Sequence, residues 1–96
     1  MIVQDKEENV RYFGAVQFHE EIAKKSLALY PMVAENEEII ETTNIFPQRY
    51  AYYTCNDRLV TDGDWILTNS KGECQVVTNE KFIERFKKVE DDWWKL

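Results

Sequence analysis

The chain has 96 residues, 18 acids against 12 bases for a net charge of −6, and an aromatic content of 14%. That length sets one domain, 1–96, which buries roughly 60–65% of the surface its unfolded chain exposes. The net charge argues against nucleic acid as a direct ligand, because phosphate binding needs a basic surface. No apolar run approaches the ~20 residues of a membrane span, and the opening "MIVQDKEENV" lacks the apolar stretch of a signal peptide; a cytoplasmic protein is expected.

Read in chain order, "VRYFGAVQF" (10–18) is rich in β-formers and predicts a strand, with Gly14 marking a bulge or a close backbone approach. "HEEIAKKSLALY" (19–30) changes to helical spacing. Phe18, Ile22 and Leu29 fall on one face, with Ala23, Leu27 and Tyr30 beside it. Glu20 and Glu21 precede Lys24 and Lys25 at i,i+4 spacing, and Pro31 stops the helix. Residues 32–44 read as a second short helix or an irregular connection. "RYAYYTC" (49–55) predicts a strand with Tyr50, Tyr52 and Thr54 on one side and Ala51, Tyr53 and Cys55 on the other.

"NDR" (56–58) and "DGD" (62–64) are turn chemistry, Gly63 at positive φ. "WILTN" (65–69), "SKG" (70–72) and "ECQVV" (73–77) form a hairpin, with Gly72 at the left-handed position of the loop. Thr78 is an N-cap and Glu80 suits the first turn of a helix over 79–89. Phe82, Phe86, Val89 and Trp93 make one stripe and Ile83 widens it, while Lys87 and Lys88 sit near the helix end. The fold class is therefore α+β, a small, mostly antiparallel sheet with two helices. No internal repeat, low-complexity tract or linker interrupts it.

Two stretches carry a family likeness. "FGAVQF", then "DGDWILTNSKGE" and "VVTNEKFIERF", resemble a small phage-borne domain with an N-terminal E-A-x-Q-W/F strand and a closing PGDY/W-I…KGE…F hairpin and helix. The correspondence runs through Ala15, Gln17 and Phe18, then Gly63, Asp64, Trp65, Ile66, Lys71, Gly72, Glu73, Val77, Phe82 and Phe86. It covers about half the chain, and Asp62 stands where that family has proline. The resemblance implies a small α+β fold and a phage or prophage origin, and carries no chemistry with it. By length, acidity and general class the chain is also similar to the DNA-mimicking anti-restriction nuclease inhibitors of T-even-type bacteriophages.

Little points to catalysis. His19 is the only histidine, and neither Cys55 nor Cys74 has a local activating partner. Without an export signal both cysteines are expected as reduced thiols. Two cysteines and one histidine fall short of a zinc set, and Gly14, Gly63 and Gly72 make no phosphate loop. No enzyme, cofactor or metal is expected. The Gly-Asp-Trp turn and the Lys71-Gly72-Glu73 tip read first as structure.

The acids carry the functional colour. From Ser26 to Gln48 there is no Lys or Arg, and Glu35, Glu37, Glu38 and Glu41 fall inside. Asp57, Asp62 and Asp64 form a second group, and Glu90, Asp91 and Asp92 a third. The bland reading is a solvated face. The sharper one is an array imitating phosphates, because residues i and i+2 of an extended chain lie ~7 Å apart. Glu35/Glu37 and Asp62/Asp64 have that separation if extended. A globule of this length is about 32 Å across, and duplex DNA of that span carries roughly 19 charges. Mimicry would therefore need the bases segregated to another face or two subunits end to end.

The tail "DDWWKL" is the other oddity. Trp93 continues the apolar stripe, and Trp94, pointing ~100° away, suits a homodimer contact or packs back on the domain. The expected function is a non-enzymatic, phage-encoded inhibitor acting by acidic DNA mimicry. Its partner would be a host DNA-binding defence protein such as a restriction nuclease, met in the host cytoplasm. The alternative is a small phage accessory or virion-associated module binding another protein through the aromatic tail.

Overall fold

The computed structural model of the chain describes residues 1–7, 11–40 and 48–89, with the backbone alone at 39, 40, 48 and 49. Strand β1 (Ile2–Asp5) pairs antiparallel with β2 (Tyr12–Gln17), Val3 opposite Phe13. β1 was not anticipated from the sequence; four residues are too few to show a period. Gly14 in β2 marks neither bulge nor close approach. The ladder runs unbroken through it, and a Cβ there would meet its nearest neighbour, the Thr68 carbonyl oxygen, at 3.9 Å.

Helix α1 (Glu20–Lys25) is shorter than the expected 19–30. Ser26 is extended, with φ −155° and ψ 90°, and a single 3-10 turn (Leu27–Leu29) follows. Tyr30 accounts for the break. Its ring lies 5.0 Å from that of Phe18, and its hydroxyl donates to the Gln17 carbonyl (3.2 Å) and accepts from the His19 N–H (3.1 Å). These anchors draw the chain back to the end of β2 before a longer helix can form. The buried face changes accordingly: Ala23 points inward, while Ile22 and Leu29 are exposed.

Residues expected as a short helix or an irregular connection form strand β3 (Ala34–Ile40), antiparallel to β4 (Gln48–Cys55). A helix of seven residues is marginal in water; the partner strand decides. β4 returns through a two-residue turn, Asn56 at φ 51° and Asp57 at φ 62°, into β5 (Arg58–Val60). Both central residues are left-handed, as a tight hairpin of this twist requires. After the 61–64 turn, with Gly63 at φ 88°, come β6 (Trp65–Thr68) and β7 (Cys74–Val77), joined past Gly72 at φ 83°.

The Thr78 side chain accepts from the Lys81 N–H at 3.3 Å and opens α2 (Asn79–Arg85). The expected helix 79–89 ends early: Phe86 turns extended and β8 (Phe86–Lys88) pairs with β1. The open edge of β1, invisible to local spacing, takes these residues as a strand. Lys87 and Lys88 therefore lie on a sheet edge, not at a helix end. Phe82 and Phe86 are buried as their stripe predicts, whereas Ile83 is 64% exposed.

The fold is α+β, with mostly antiparallel strands in two sheets, ordered β7-β6-β2-β1-β8 and β3-β4-β5. The larger sheet packs a core against each face, although Ile2 and Tyr12 on one of them stay exposed. Leu67 points with Val3, Phe13 and Ala15 toward Phe82 and Phe86. Ile66 points the other way, into a core of Phe18, Ala23, Tyr30 and Val33 with Tyr53, Cys55 and Val60. Trp65 stacks on Phe82 at 3.8 Å and donates from Nε1 to Asn79 Oδ1 at 2.9 Å, which docks α2.

Among the described residues, one charge is fully buried. Asp5 accepts from the Glu7 N–H at 2.9 Å and from Arg85 Nε at 3.3 Å, tying β1 to the end of α2.

The molecule is elongated. Its radius of gyration is 16.8 Å and its axes are 65 × 25 × 22 Å, against about 12.5 Å for a compact chain of this length. β5 covers only Tyr53–Cys55 of β4, so from Tyr52 outward β3 and β4 pair as a two-stranded ribbon.

Candidate protein-binding surface

Strand β3 holds three of the first acidic group. Glu35, Glu37 and Glu38 are all exposed on β3. Strand alternation divides them: Glu35 and Glu37 share the face of their partners Tyr53 and Ala51, while Glu38 shares the opposite face with Tyr50. Glu35 and Glu37 thus stand ~7 Å apart along an extended backbone, as the sequence required of a phosphate-like pair. The field of Glu35 is felt in the core: the Tyr53 phenol is raised above its ordinary 10.0, first by burial and then by Glu35.

The second group is spent largely on folding. Asp62 Oδ1 accepts from the Glu20 N–H at 2.9 Å and so opens α1, a role the His19 side chain leaves unfilled. Asp64 Oδ2 accepts from both the N–H and the hydroxyl of Thr61 at 3.0 Å. Neither lies in a strand; they close a turn rather than extend along a chain. Asp57 is exposed at the tip of the β4–β5 hairpin. Glu41, Glu90, Asp91, Asp92, Trp93 and Trp94 lie outside the described residues.

The outer face of the small sheet shows residues that the sequence reading did not select. Tyr50 and Tyr52 alternate along β4, with Leu59 of β5 beyond them across from Thr54, and they are 50%, 38% and 60% exposed. Asn36 donates to Thr54 Oγ1 at 2.9 Å on the same face. The alternation of tyrosines was visible in "RYAYYTC"; which side would face water was not.

The signs of charge divide along the molecule. Among the described residues, 19–64 hold Glu20, Glu21, Glu35, Glu37, Glu38, Asp57, Asp62 and Asp64 against Lys24, Lys25, Arg49 and Arg58. The described residues of the larger sheet, its loops and α2 hold Lys6, Arg11, Lys71, Lys81, Arg85, Lys87 and Lys88 against Asp5, Glu7, Glu73, Glu80 and Glu84. A groove of about 520 Å³ gathers Lys6, Arg11, Lys81 and Arg85 with Arg58, beside Asp5, Glu7 and Glu84. The separation is a bias and not a clean division: Lys24 pairs with Glu20 at 3.7 Å and Arg85 with Asp5 at 3.3 Å.

The cysteines meet across the two sheets. Cys55 is buried on β4, Cys74 is half-buried on β7, and both are free thiols. Asn56 Nδ2 donates to the Cys74 carbonyl at 2.9 Å, which holds the two strands together. Burial, then the adjacent Cys74, pushes the Cys55 thiol above its ordinary 9.0, away from the thiolate that a nucleophile needs. His19 sits instead at the start of α1, in a groove lined by Glu20, Glu21, Lys24 and Asp62. Among the described residues, no cluster of three or more His, Cys, Asp or Glu side chains could hold a metal, and no helix is long and apolar enough to cross a membrane.

No protein-family model, curated protein or solved structure matches the chain.

Proposed function

We propose that this chain is a non-enzymatic, phage-encoded inhibitor whose β3–β4 ribbon presents carboxylates to the basic, DNA-binding surface of a host defence protein such as a restriction nuclease. The observation that carries the reading is the exposed Glu35/Glu37 pair at strand spacing, on a half of the molecule where, among the described residues, acids outnumber bases two to one. The mimicry is local. Duplex DNA 65 Å long, the length of this molecule, carries about 38 charges. The net −6 therefore imitates a short run of phosphates on one strand, not a duplex. Complementary fields of this kind speed encounter and make binding sensitive to salt.

The test is displacement of a labelled duplex from a restriction nuclease, followed by fluorescence anisotropy at about 50 and about 200 mM salt. Displacement should occur at low salt, weaken at high salt, and fall when Glu35, Glu37 and Glu38 are all changed to Gln. No displacement at low salt sinks the decoy reading.

A second reading, a phage accessory or virion-associated module, draws on the exposed Tyr50, Tyr52 and Leu59. Tyrosines on a rigid strand are effective interface anchors. Binding lost on Tyr50→Ser with Tyr52→Ser, yet indifferent to salt and to the three Gln changes, selects it over the decoy.

A further inference from the structure

The two sheets present four edges, and they differ. β8 is three residues long and two of them are lysines, a common way of blocking an edge. β5 is also three residues long. On β7 the Cys74 carbonyl is occupied by Asn56. β3 is seven residues long, Ala-Glu-Asn-Glu-Glu-Ile-Ile, with no proline, lysine or bulge; its register with β4 is continuous from Ala34↔Thr54 to Ile40↔Gln48. Among the described residues it has a neighbour on one side only. Among the described residues, no backbone hydrogen bond from another element reaches its outer edge. A strand of this length offers roughly 24 Å of unpaired N–H and C=O groups, a template for a further strand.

The glutamates decide which strand can use it. An antiparallel pair of two β3 strands centred on their middle residue would set Glu37 directly across from its own copy, with Glu35 and Glu38 close by. Like charges opposed in this way destabilise the pair. The same side chains favour a strand carrying the opposite charge, with bases at alternate positions to meet Glu35 and Glu37 on one face. A basic extended segment satisfies the open backbone and the carboxylates together.

We infer that the free edge of β3 takes up an extended, lysine- or arginine-rich segment of a partner protein as a fourth strand of the small sheet. The inference deepens the inhibitor reading by assigning the contact to backbone pairing as well as to charge, and it rests on that reading for the basic character of the partner.

The probe is a synthetic peptide alternating lysine with valine, compared with the same peptide N-methylated at every second residue and with a version having glutamate for lysine. Binding is followed by anisotropy and by amide hydrogen exchange of the protein. The parent peptide should slow exchange at alternate amides within 34–40. N-methylation should weaken binding by about ten-fold or more, since it removes the donors of the new ladder. Glu35→Gln with Glu37→Gln should weaken it by about two- to thirty-fold, and the glutamate peptide should not bind.

Equal affinity of the N-methylated peptide, or unchanged exchange in 34–40, overturns strand addition and leaves contact through side-chain charge alone. Protection of 34–40 that grows with protein concentration in the absence of peptide also overturns it, because the edge would then be taken by a second copy. Strand addition without displacement of DNA from a nuclease sinks the decoy reading and leaves this one standing; displacement without strand addition does the reverse.

Discussion

Replacing the buried carboxylate Asp5 by alanine tests how the larger sheet is held to its second helix. Asp5 is 2% exposed, and it accepts from the Glu7 N–H at 2.9 Å, from Arg85 Nε at 3.3 Å and from Arg85 Nη2 at 3.3 Å. Removing one member of a fully buried ion pair costs about 3–5 kcal/mol. Here the partner is less deeply placed: the Arg85 side chain is 46% exposed and recovers water when the carboxylate goes. Hydrogen bonds to charged groups contribute about 1.5–3 kcal/mol, so Asp5→Ala should cost about 2–3 kcal/mol. For a domain of this size that lowers Tm by about 8–24 °C.

The control is Glu7→Ala. Glu7 also faces Arg85, at 3.6 Å, but is 73% exposed, and its loss should cost under about 0.5 kcal/mol. Urea unfolding of both variants and the parent, followed by tryptophan fluorescence, measures the difference. A cost below about 1 kcal/mol for Asp5→Ala, or one equal to that of Glu7→Ala, would refute the argument that burial makes the first pair matter more.

Asp57→Gly should raise stability by about 0.5–1 kcal/mol, since Asp57 holds φ 62° in the tight turn and glycine removes the left-handed penalty; a lower urea midpoint contradicts this. Asp62→Ala should cost about 0.5–1.5 kcal/mol by orphaning the Glu20 N–H, while Asp62→Asn, which keeps the acceptor, should cost less. Equal losses would mean that the charge matters and the hydrogen bond does not. Stability should fall as pH rises past 9 and then 10. Burial raises the Cys55 thiol and the Tyr53 phenol, so the unfolded chain releases those protons first, and their contribution is full below the ordinary values of 9.0 and 10.0. A urea midpoint that stays constant up to about pH 11 rules this out, and Tyr53→Phe should flatten the upper part of the fall. With intact protein, a maleimide should label half-buried Cys74 well before buried Cys55; equal rates would contradict the packing of β4 against the larger sheet.

Residues 65–78 were legible because every signal there is local. A strand, a turn with glycine at positive φ, a returning strand and a capping threonine each need only their own neighbours, and all appear where the sequence put them. The two tyrosine faces of β4 were legible for the same reason, since alternation is a property of one strand. The ends of the helices were not. α1 stops at Lys25 because Tyr30 binds the end of β2, and α2 stops at Arg85 because β1 offers an edge to Phe86–Lys88.

The candidate site divides in the same way. The run from Ser26 to Gln48 without a base is written in the chain, and so is the i,i+2 spacing of Glu35 with Glu37. The sequence alone determined a small α+β domain, a central hairpin with its capped helix, and an acidic segment free of lysine and arginine. The tertiary structure decided that Ala34–Ile40 of this segment is an edge strand, unpaired on its outer side among the described residues, and that Asp62 and Asp64 are held in a turn. Pairing joins residues far apart in the chain, so its outcome depends on which other strand is free to receive them, and that is not recorded in any local spacing.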